Sequence, residues 1–284
     1  MSGRCRACGA ARLERAADFG AMPLADRLSS VEEAPEDEPR FPLVLARCGA
    51  CGLVQLESAP PPEALFDAAY PYLSSTSPGW LAHARGFAER MVRERGLGPG
   101  SLVVEIASNA GNLLRWFREA GVPVLGVEPT PLPARAAEAL GSPVRRAFFD
   151  GAMGAALREE TGGADLVVGN NVLAHVPDPA DVLRGVAALL RPGGLATFEV
   201  PWLGDLIEGL AFDTIYHEHH SYFAAAPLAA LGEAAGLTLI DVERLTTHGG
   251  ALRAQFAAGG QASGRVGALS EEEQPIRLEW LLNE

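Results

Sequence analysis

The chain has 284 residues, of which 48% are hydrophobic, so it can bury one full core and a smaller second unit. Its net charge is −13 and all 23 basic residues are arginine, which disfavours the broad basic surface of a nucleic-acid-binding protein. No uninterrupted apolar run of about 18 residues occurs, and the first residues lack the apolar core of a secretory signal. We therefore expect a cytoplasmic protein that does not enter a membrane.

The four cysteines form two Cys-x2-Cys pairs, Cys5 with Cys8 and Cys48 with Cys51, and glycine follows each pair. Four thiolates complete a tetrahedral zinc site with no open coordination position, so the pattern predicts a structural Zn2+. Two unrelated redox-active or buried pairs are the alternative, but the βαβ pattern that surrounds a redox pair is missing from this region. We predict a zinc-binding lobe over residues 1–60, and we expect chelation to destabilise it before the chemistry is affected.

The elements after the lobe follow an α/β pattern. A helix is predicted from Trp80 to Arg95, and from Leu102 short apolar segments alternate with helical ones, as in a doubly wound sheet. Strands are predicted at 102–106, 124–127, 166–170 and 195–200, with a turn at 190–194, a helix at 228–235, and an antiparallel pair at 237–245 and 251–257. Seven strands are expected by residue 258. We assign residues 61–258 to this domain and 259–284 to a tail with a helix at 276–282.

Two strand ends carry the signature of a nucleoside cofactor. The first ends in the turn Glu105-Ile-Ala-Ser-Asn-Ala-Gly111, and the second ends in Glu128, which is placed to accept hydrogen bonds from ribose hydroxyls. A dinucleotide site has three glycines and a helix N-terminus open to a pyrophosphate, whereas this turn has one glycine and an acid before it. The acid suits the cationic S-adenosylmethionine, so a methyltransferase is favoured over a dehydrogenase. The predicted cofactor contacts are Glu105, Ala107, Asn109, Gly111, Glu128, Asn170 and Asn171.

Three of the six histidines lie together in the segment 214–222, as His217, His219 and His220 around Glu218. Such groups exchange protons near neutral pH, so this segment is the predicted centre of the chemistry. Other interpretations remain open at this point. His217 and His219 share one face of an extended segment and could hold a metal, and His220 could be a packing or surface residue. His83 is predicted to be a solvated helix residue.

Together these motifs resemble the bacterial nucleotide-sugar C-methyltransferases, which add a branch methyl group to nucleotide-linked 4-keto deoxysugars in antibiotic biosynthesis. The resemblance rests on the cysteine pairs and on the segments 70–75, 105–111, 171–175, 216–219 and 248–250. It implies a class I S-adenosylmethionine-dependent methyltransferase with a Rossmann-like seven-stranded sheet and a small N-terminal zinc lobe. Two positions depart from the family pattern, because Ala110 replaces an aspartate and Ala251 replaces a serine.

The resemblance also implies a mechanism, in which a base removes the proton beside the ketone and the enolate attacks the methyl group. His219 matches the base, Tyr216 and Tyr70 match hydrogen-bonding or acid groups, Glu218 would orient the base or hold a sugar hydroxyl, and His175 lies on the cofactor side. Such a carbon acid needs both a base and a donor at the developing enolate oxygen.

Similar enzymes continue into a third domain that helps to bind the nucleotide sugar, and this chain ends where that domain would begin. The expected substrate is a small molecule that bears a ketone. A partner subunit or a second copy of the chain in a homo-oligomer could help to bind it. Two alternatives stay open. One is a C- or O-methyltransferase for another natural-product intermediate, and the other is a zinc-containing binding module without turnover.

Overall fold

The computed structural model describes residues 3–27, 38–61, 65 and 77–273. Tyr70, the rest of the segment 70–75 and the tail helix predicted at 276–282 lie outside these residues. Among the described residues, no helix combines the length and the apolar character that crossing a bilayer requires.

Within the described residues the chain forms eleven strands and eight α-helices. The strands are β1 (Leu13–Pro23), β2 (Arg40–Cys48), β3 (Val54–Leu56), β4 (Val103–Ile106), β5 (Val124–Val127), β6 (Val144–Arg145), β7 (Ala164–Asn170), β8 (Leu190–Pro201), β9 (Ser221–Tyr222), β10 (Thr238–Leu245) and β11 (Ala251–Ala257). The helices are α1 (Pro78–Arg95), α2 (Asn112–Glu119), α3 (Pro131–Ala139), α4 (Gly151–Thr161), α5 (Pro179–Leu189), α6 (Leu203–Glu208), α7 (Ala225–Ala234) and α8 (Gly264–Glu272).

The larger sheet has the strand order β10-β11-β8-β7-β4-β5-β6. Its neighbouring strands are parallel except for the two pairs that β11 makes. Strands β5 and β11 have the predicted bounds, and β4 and β10 begin one residue later than predicted. The predicted seven-stranded doubly wound sheet is therefore confirmed. It could be predicted because apolar runs of this length identify buried strands well.

The turn predicted at 190–194 is instead a bulge inside β8. Between the pairs Ala164 with Leu190 and Leu166 with Leu195, the chain advances five residues along β8 but two along β7. Gly193 takes the left-handed backbone conformation (φ 77°). At Gly194, a Cβ atom would lie 3.0 Å from the carbonyl oxygen of Ala164, so only glycine fits there. The glycines shape a strand irregularity rather than ending the strand.

The smaller sheet is antiparallel, with the order β1-β2-β3-β9. Its last strand comes from the histidine-rich segment far downstream, since Val54 pairs with Tyr222 and Gln55 with Ser221. Nothing in the sequence pattern indicates this pairing. As a consequence, the N-terminal lobe and the predicted catalytic segment share one sheet.

Helix α1 covers one face of the larger sheet. The Ser77 hydroxyl caps its first turn by accepting the Trp80 N–H (3.2 Å), and Gly96 ends it in the left-handed conformation. Its buried side chains, including Phe87 and Met91, pack with residues of α2, β4 and β7 in one apolar cluster. The helix therefore brings its polar residues close to the ends of the central strands.

One of those polar residues, His83, belongs to a buried network of charges. Glu199 on β8 is 1% exposed, and it accepts hydrogen bonds from Nη2 of Arg253 (2.6 Å) and lies 2.9 Å from Nε2 of His83. Burial alone would raise the pKa of Glu199, but His83 and Arg253 lower it on balance. The prediction that His83 is solvated is wrong, because a buried carboxylate is stable only when it is paired.

Candidate active site

The turn after β4 has the backbone of a ligand-binding loop. Ala107 and Asn109 both have positive φ angles (53° and 48°), which are uncommon for non-glycine residues and are concentrated in turns and functional sites. Gly111 also has a positive φ (70°), and a Cβ atom there would lie 2.9 Å from Cβ of Ala137. The predicted contacts of this turn are thus folded into one tight, strained loop at the carboxyl end of the sheet.

The two acids at the ends of β4 and β5 differ in their environment. Glu105 is 3% exposed, and its Oε2 atom has no hydrogen-bond partner within the described residues. Burial, with the nearby Glu128 carboxylate, raises the pKa of Glu105 well above its ordinary value. An unpartnered, buried carboxyl oxygen is a feature that a cationic ligand would satisfy.

Glu128 is already engaged by its own protein. Its carboxylate accepts the Asn109 N–H (2.8 Å), the Thr130 N–H (2.9 Å) and the Thr130 hydroxyl. Each carboxylate oxygen has two acceptor positions, and three of the four are used, so one position on Oε2 remains for a ribose hydroxyl. The bond to Asn109 ties the end of β5 to the turn after β4.

The end of β7 contributes the two remaining predicted contacts. The Nδ2 atom of Asn170 is buried, and within the described part of the chain it has no hydrogen-bond partner. Asn171 adopts a positive φ (52°), and its N–H donates to the Glu199 carbonyl (2.8 Å). An unpaired donor at Asn170 and an unpaired acceptor at Glu105 suit a ligand that carries both polarities, as an amino acid moiety does.

His219 is the centre of the histidine-rich segment. Its Nδ1 atom lies 2.8 Å from the Thr214 carbonyl, and because a carbonyl can only accept, Nδ1 carries the proton. Its Nε2 atom lies 3.0 Å from the Tyr216 hydroxyl, which therefore donates to it. Burial lowers the pKa of His219 to about 4, so the ring is neutral at pH 7. Nε2 is thus held as a proton acceptor.

His175 lies against the same ring. The ring centroids of His175 and His219 are 4.7 Å apart, and Nδ1 of His175 lies 2.9 Å from the Glu218 carbonyl. Burial, followed by the effect of His219, lowers the pKa of His175 to about 3. The structure therefore brings together His175, Tyr216 and His219, whereas Glu218 contacts His175 through its backbone carbonyl.

The N-terminal lobe holds the residues on either side of His219. Nε2 of His217 donates to the Phe41 carbonyl (3.1 Å), and the Asp26 N–H donates to the Glu218 carboxylate (3.1 Å). We did not predict Asp26 or Phe41 as functional positions, because their contributions are backbone groups that any residue type could supply. With the β3–β9 pairing, these contacts make the lobe one wall of the site.

The four cysteines form the metal centre that their spacing predicts. Their sulfur atoms all lie within 4.8 Å of one another, with Cys5 to Cys51 at 3.5 Å and Cys8 to Cys48 at 3.7 Å. Sulfurs around tetrahedral zinc are separated by about 3.8 Å, so the donor set fits this ion. Hydrogen bonding from Cys51 lowers the pKa of the Cys5 thiol to about 5. Among the described residues this is the only group of three or more metal-ligating side chains, and it does not include His217 or His219.

Two family models match the chain. Residues 80–242 match a family model described as "Methyltransferase domain", and residues 5–66 match one described as "Putative zinc binding domain". Together with the clustered sulfurs, the second match confirms the predicted zinc-binding lobe.

Two relatives differ in how much of the chain they cover. The chain is 39% identical over 262 residues to the C-methyltransferase NovU of Streptomyces niveus, a match that covers 92% of this chain but only 62% of that protein. It is 28% identical over 172 residues to a ubiquinone biosynthesis O-methyltransferase of Aeromonas salmonicida, covering 56% of this chain and 71% of the relative.

Among solved structures, magnesium protoporphyrin IX methyltransferase of Synechocystis PCC 6803 with bound SAH superposes with a TM-score of 0.50. The match has 16% identity and covers 64% of this chain and 84% of that one. Such a likeness shows the fold alone, and it confirms the predicted class I methyltransferase fold.

Proposed function

The chain belongs to the methyltransferase-domain family, and from that premise we propose that it is an S-adenosylmethionine-dependent C-methyltransferase for a nucleotide-linked 4-keto-deoxysugar. The observation that carries the proposal is the His219 ring, which is neutral and held with Nε2 as a proton acceptor beside Tyr216 and His175. The similarity to a C-methyltransferase over 92% of the chain supports transfer to carbon. Because the chain spans only 62% of that relative, activity and substrate are both part of the proposal.

The residues of the cofactor turn fit the proposed ligand. Glu105 offers an unpartnered carboxyl oxygen to the ammonium group, Asn170 offers an unpartnered donor, and Glu128 has one acceptor position left for a ribose hydroxyl. Bound S-adenosylmethionine supplies an electrophilic methyl group on a positively charged sulfur. The acid at position 105 favours this cation and disfavours a pyrophosphate, which argues against the dinucleotide alternative.

His219 acts as the general base in this mechanism. The C–H bond beside the ketone breaks, the proton goes to Nε2 of His219, and the electron pair forms the enolate. The substrate would replace the Tyr216 hydroxyl at Nε2, and that hydroxyl would then donate to the developing enolate oxygen. The Nδ1–H bond to the Thr214 carbonyl fixes the ring orientation and favours the cationic ring that forms.

The enolate carbon would then accept the methyl group that bound S-adenosylmethionine supplies. His219 returns its proton to solvent. The four cysteines would hold zinc with no open position, so the metal takes no part in these steps.

Solvent deuterium exchange tests the proposal without cofactor turnover. The protein is incubated in D2O with a thymidine-diphosphate 4-keto-6-deoxyhexose, and exchange beside the ketone is followed by NMR. We expect exchange with the wild type and none with His219→Asn, while calorimetry shows the same affinity of both for S-adenosylmethionine. Cofactor binding without exchange would reject the enolate mechanism in favour of O-methylation or another substrate. Binding of neither ligand would indicate a non-catalytic module.

A further inference from the structure

The zinc site and the catalytic segment are joined by a short path of buried hydrogen bonds, which begins at Gln55 on β3. This side chain is 2% exposed. Its Oε1 atom accepts the Arg6 N–H (2.8 Å), and its Nε2 atom donates to the Arg4 carbonyl (3.2 Å). The two bonds lie on either side of Cys5, so the amide of Gln55 clamps the backbone of a zinc ligand.

Arg6 forms the next part of the path. Its Nη1 atom donates to the Leu56 carbonyl (2.6 Å) and reaches the His220 carbonyl (3.4 Å). The same His220 carbonyl accepts the Leu56 N–H (3.0 Å), and Gln55 itself is paired with Ser221. Arg6, which lies between the cysteines of the first pair, is thus bonded both to β3 and to the residue that follows His219.

On the other side of His220, the path reaches the catalytic domain. The His220 N–H donates to the Ala174 carbonyl (2.7 Å), and Ala174 precedes His175. The backbone of His220, which follows His219, is therefore held both by the lobe and by the short turn that carries His175. A shift of β3 would move His220, and with it the adjacent His219.

We propose that Gln55 and Arg6 are positioning residues, which transmit the geometry of the four-cysteine site to His219. This inference rests on the proposed function for the role of His219, but not for the structural path. It revises the expectation that loss of zinc would disturb the lobe before the chemistry, because the two share the same hydrogen bonds. Zinc removal and substitution of Gln55 should therefore produce the same change at His219.

The test compares Gln55→Leu with Arg15→Ala. Leucine has a similar size but neither bond of the amide, whereas Arg15 makes exposed ion pairs with Glu57 and Asp18 in the same lobe. The imidazole signals of His219, identified by their loss in His219→Asn, are followed by 1H–15N NMR together with zinc content and cofactor affinity. We expect Gln55→Leu to retain zinc and cofactor affinity but to shift the His219 signals. Its deuterium exchange should slow by about 100-fold, a loss that a misplacement of about 1 Å can cause. Arg15→Ala should match the wild type.

A second pair of variants, at Arg6, tests the proposal even if Gln55→Leu does not fold. Arg6→Met removes the donors to Leu56 and His220, and Arg6→Lys keeps one, so lysine should restore part of the wild-type signal position. Chelation of zinc from the wild type should shift the same signals while cofactor binding persists. Unchanged His219 signals in the zinc-loaded variants would overturn the proposal, and so would loss of zinc from them, since these residues would then only hold the metal. If the wild type exchanges no deuterium but the signals still shift, the proposed function fails and the positioning role stands.

Discussion

Replacing Glu105 by glutamine should make the free protein more stable and the cofactor complex weaker. Burial raises the pKa of this carboxyl, with a further contribution from Glu128. The contribution of this carboxyl to stability is fully present below the unfolded pKa, where both states are protonated. It is lost as the pH rises toward the folded pKa, because the unfolded state releases its proton first. At pH 8 the wild type therefore bears a cost that glutamine, which does not ionise, avoids.

The stability gain follows from ionisation, because above about pH 4.3 the carboxyl must take up a proton on folding and glutamine need not. That uptake costs about 1.4 kcal/mol for each pH unit until the folded pKa is reached, and each kcal/mol shifts the Tm of a domain of this size by about 2–4 °C. Glu105→Gln should thus raise the Tm of the free protein at pH 8 by roughly 3–6 °C for each pH unit by which the folded pKa exceeds about 4.3, and the difference should vanish near pH 4. The lost hydrogen bond to a cation, about 1.5–3 kcal/mol, should raise the Kd for S-adenosylmethionine about 10- to 150-fold. Differential scanning fluorimetry and calorimetry measure the two quantities.

Glu128→Gln is the matched control, because the same substitution at the neighbouring strand end should have the opposite effect on stability. The Glu128 carboxylate accepts two N–H groups and the Thr130 hydroxyl, so an amide NH2 would face a donor. We expect a lower Tm in the free protein, by about 1–3 kcal/mol of unfolding free energy. A destabilised Glu105→Gln at pH 8, or one that binds the cofactor as tightly as the wild type, would refute the reasoning.

Three other outcomes are expected. Burial lowers the pKa of His220 to about 4, so the free energy of unfolding of the wild type should fall as the pH drops below 6.5. His220→Phe should reduce this pH dependence by one histidine's contribution, about 1.4 kcal/mol per pH unit, in urea unfolding curves. Equal pH slopes for the two proteins would contradict this. Glu199→Ala should cost about 3 kcal/mol, the low end for a broken buried pair, because Arg253 keeps Glu243 (2.7 Å); a loss below 1 kcal/mol would show that the pair is not buried in solution. Cys48→Ser should lower the zinc content measured by atomic absorption, and full retention would argue against a four-thiolate site.

The features that could be predicted from the sequence are those whose signal lies within a short stretch of neighbouring residues. The cysteine pairs identify their own chemistry, and the apolar runs at β4, β5 and β11 identify strands because each run is short and bounded by turn residues. The acids Glu105 and Glu128 stand directly at strand ends, where parallel strands bring ligands together.

The features that could not be predicted join distant residues. His83, Glu199 and Arg253 lie far apart in the chain, and the histidine alone has the pattern of an exposed helix residue. A usable signal did exist, since Glu199 and Arg253 each interrupt an apolar strand, and charges in such positions are stable only as a pair. The pairing of β3 with β9 had no comparable signal, because it is made by backbone groups over two residues.

That pairing has a consequence for anyone who wishes to exchange the N-terminal lobe between related proteins. A fragment cut near residue 60 would lose β9 and expose the unpaired backbone of β3. An exposed strand edge of this kind can pair with other chains and cause aggregation. It would also leave the guanidinium of Arg6 without the His220 carbonyl that it reaches in the whole chain. The lobe is therefore not a transferable module on its own, and a workable chimera has to include a segment that pairs with β3 as β9 does.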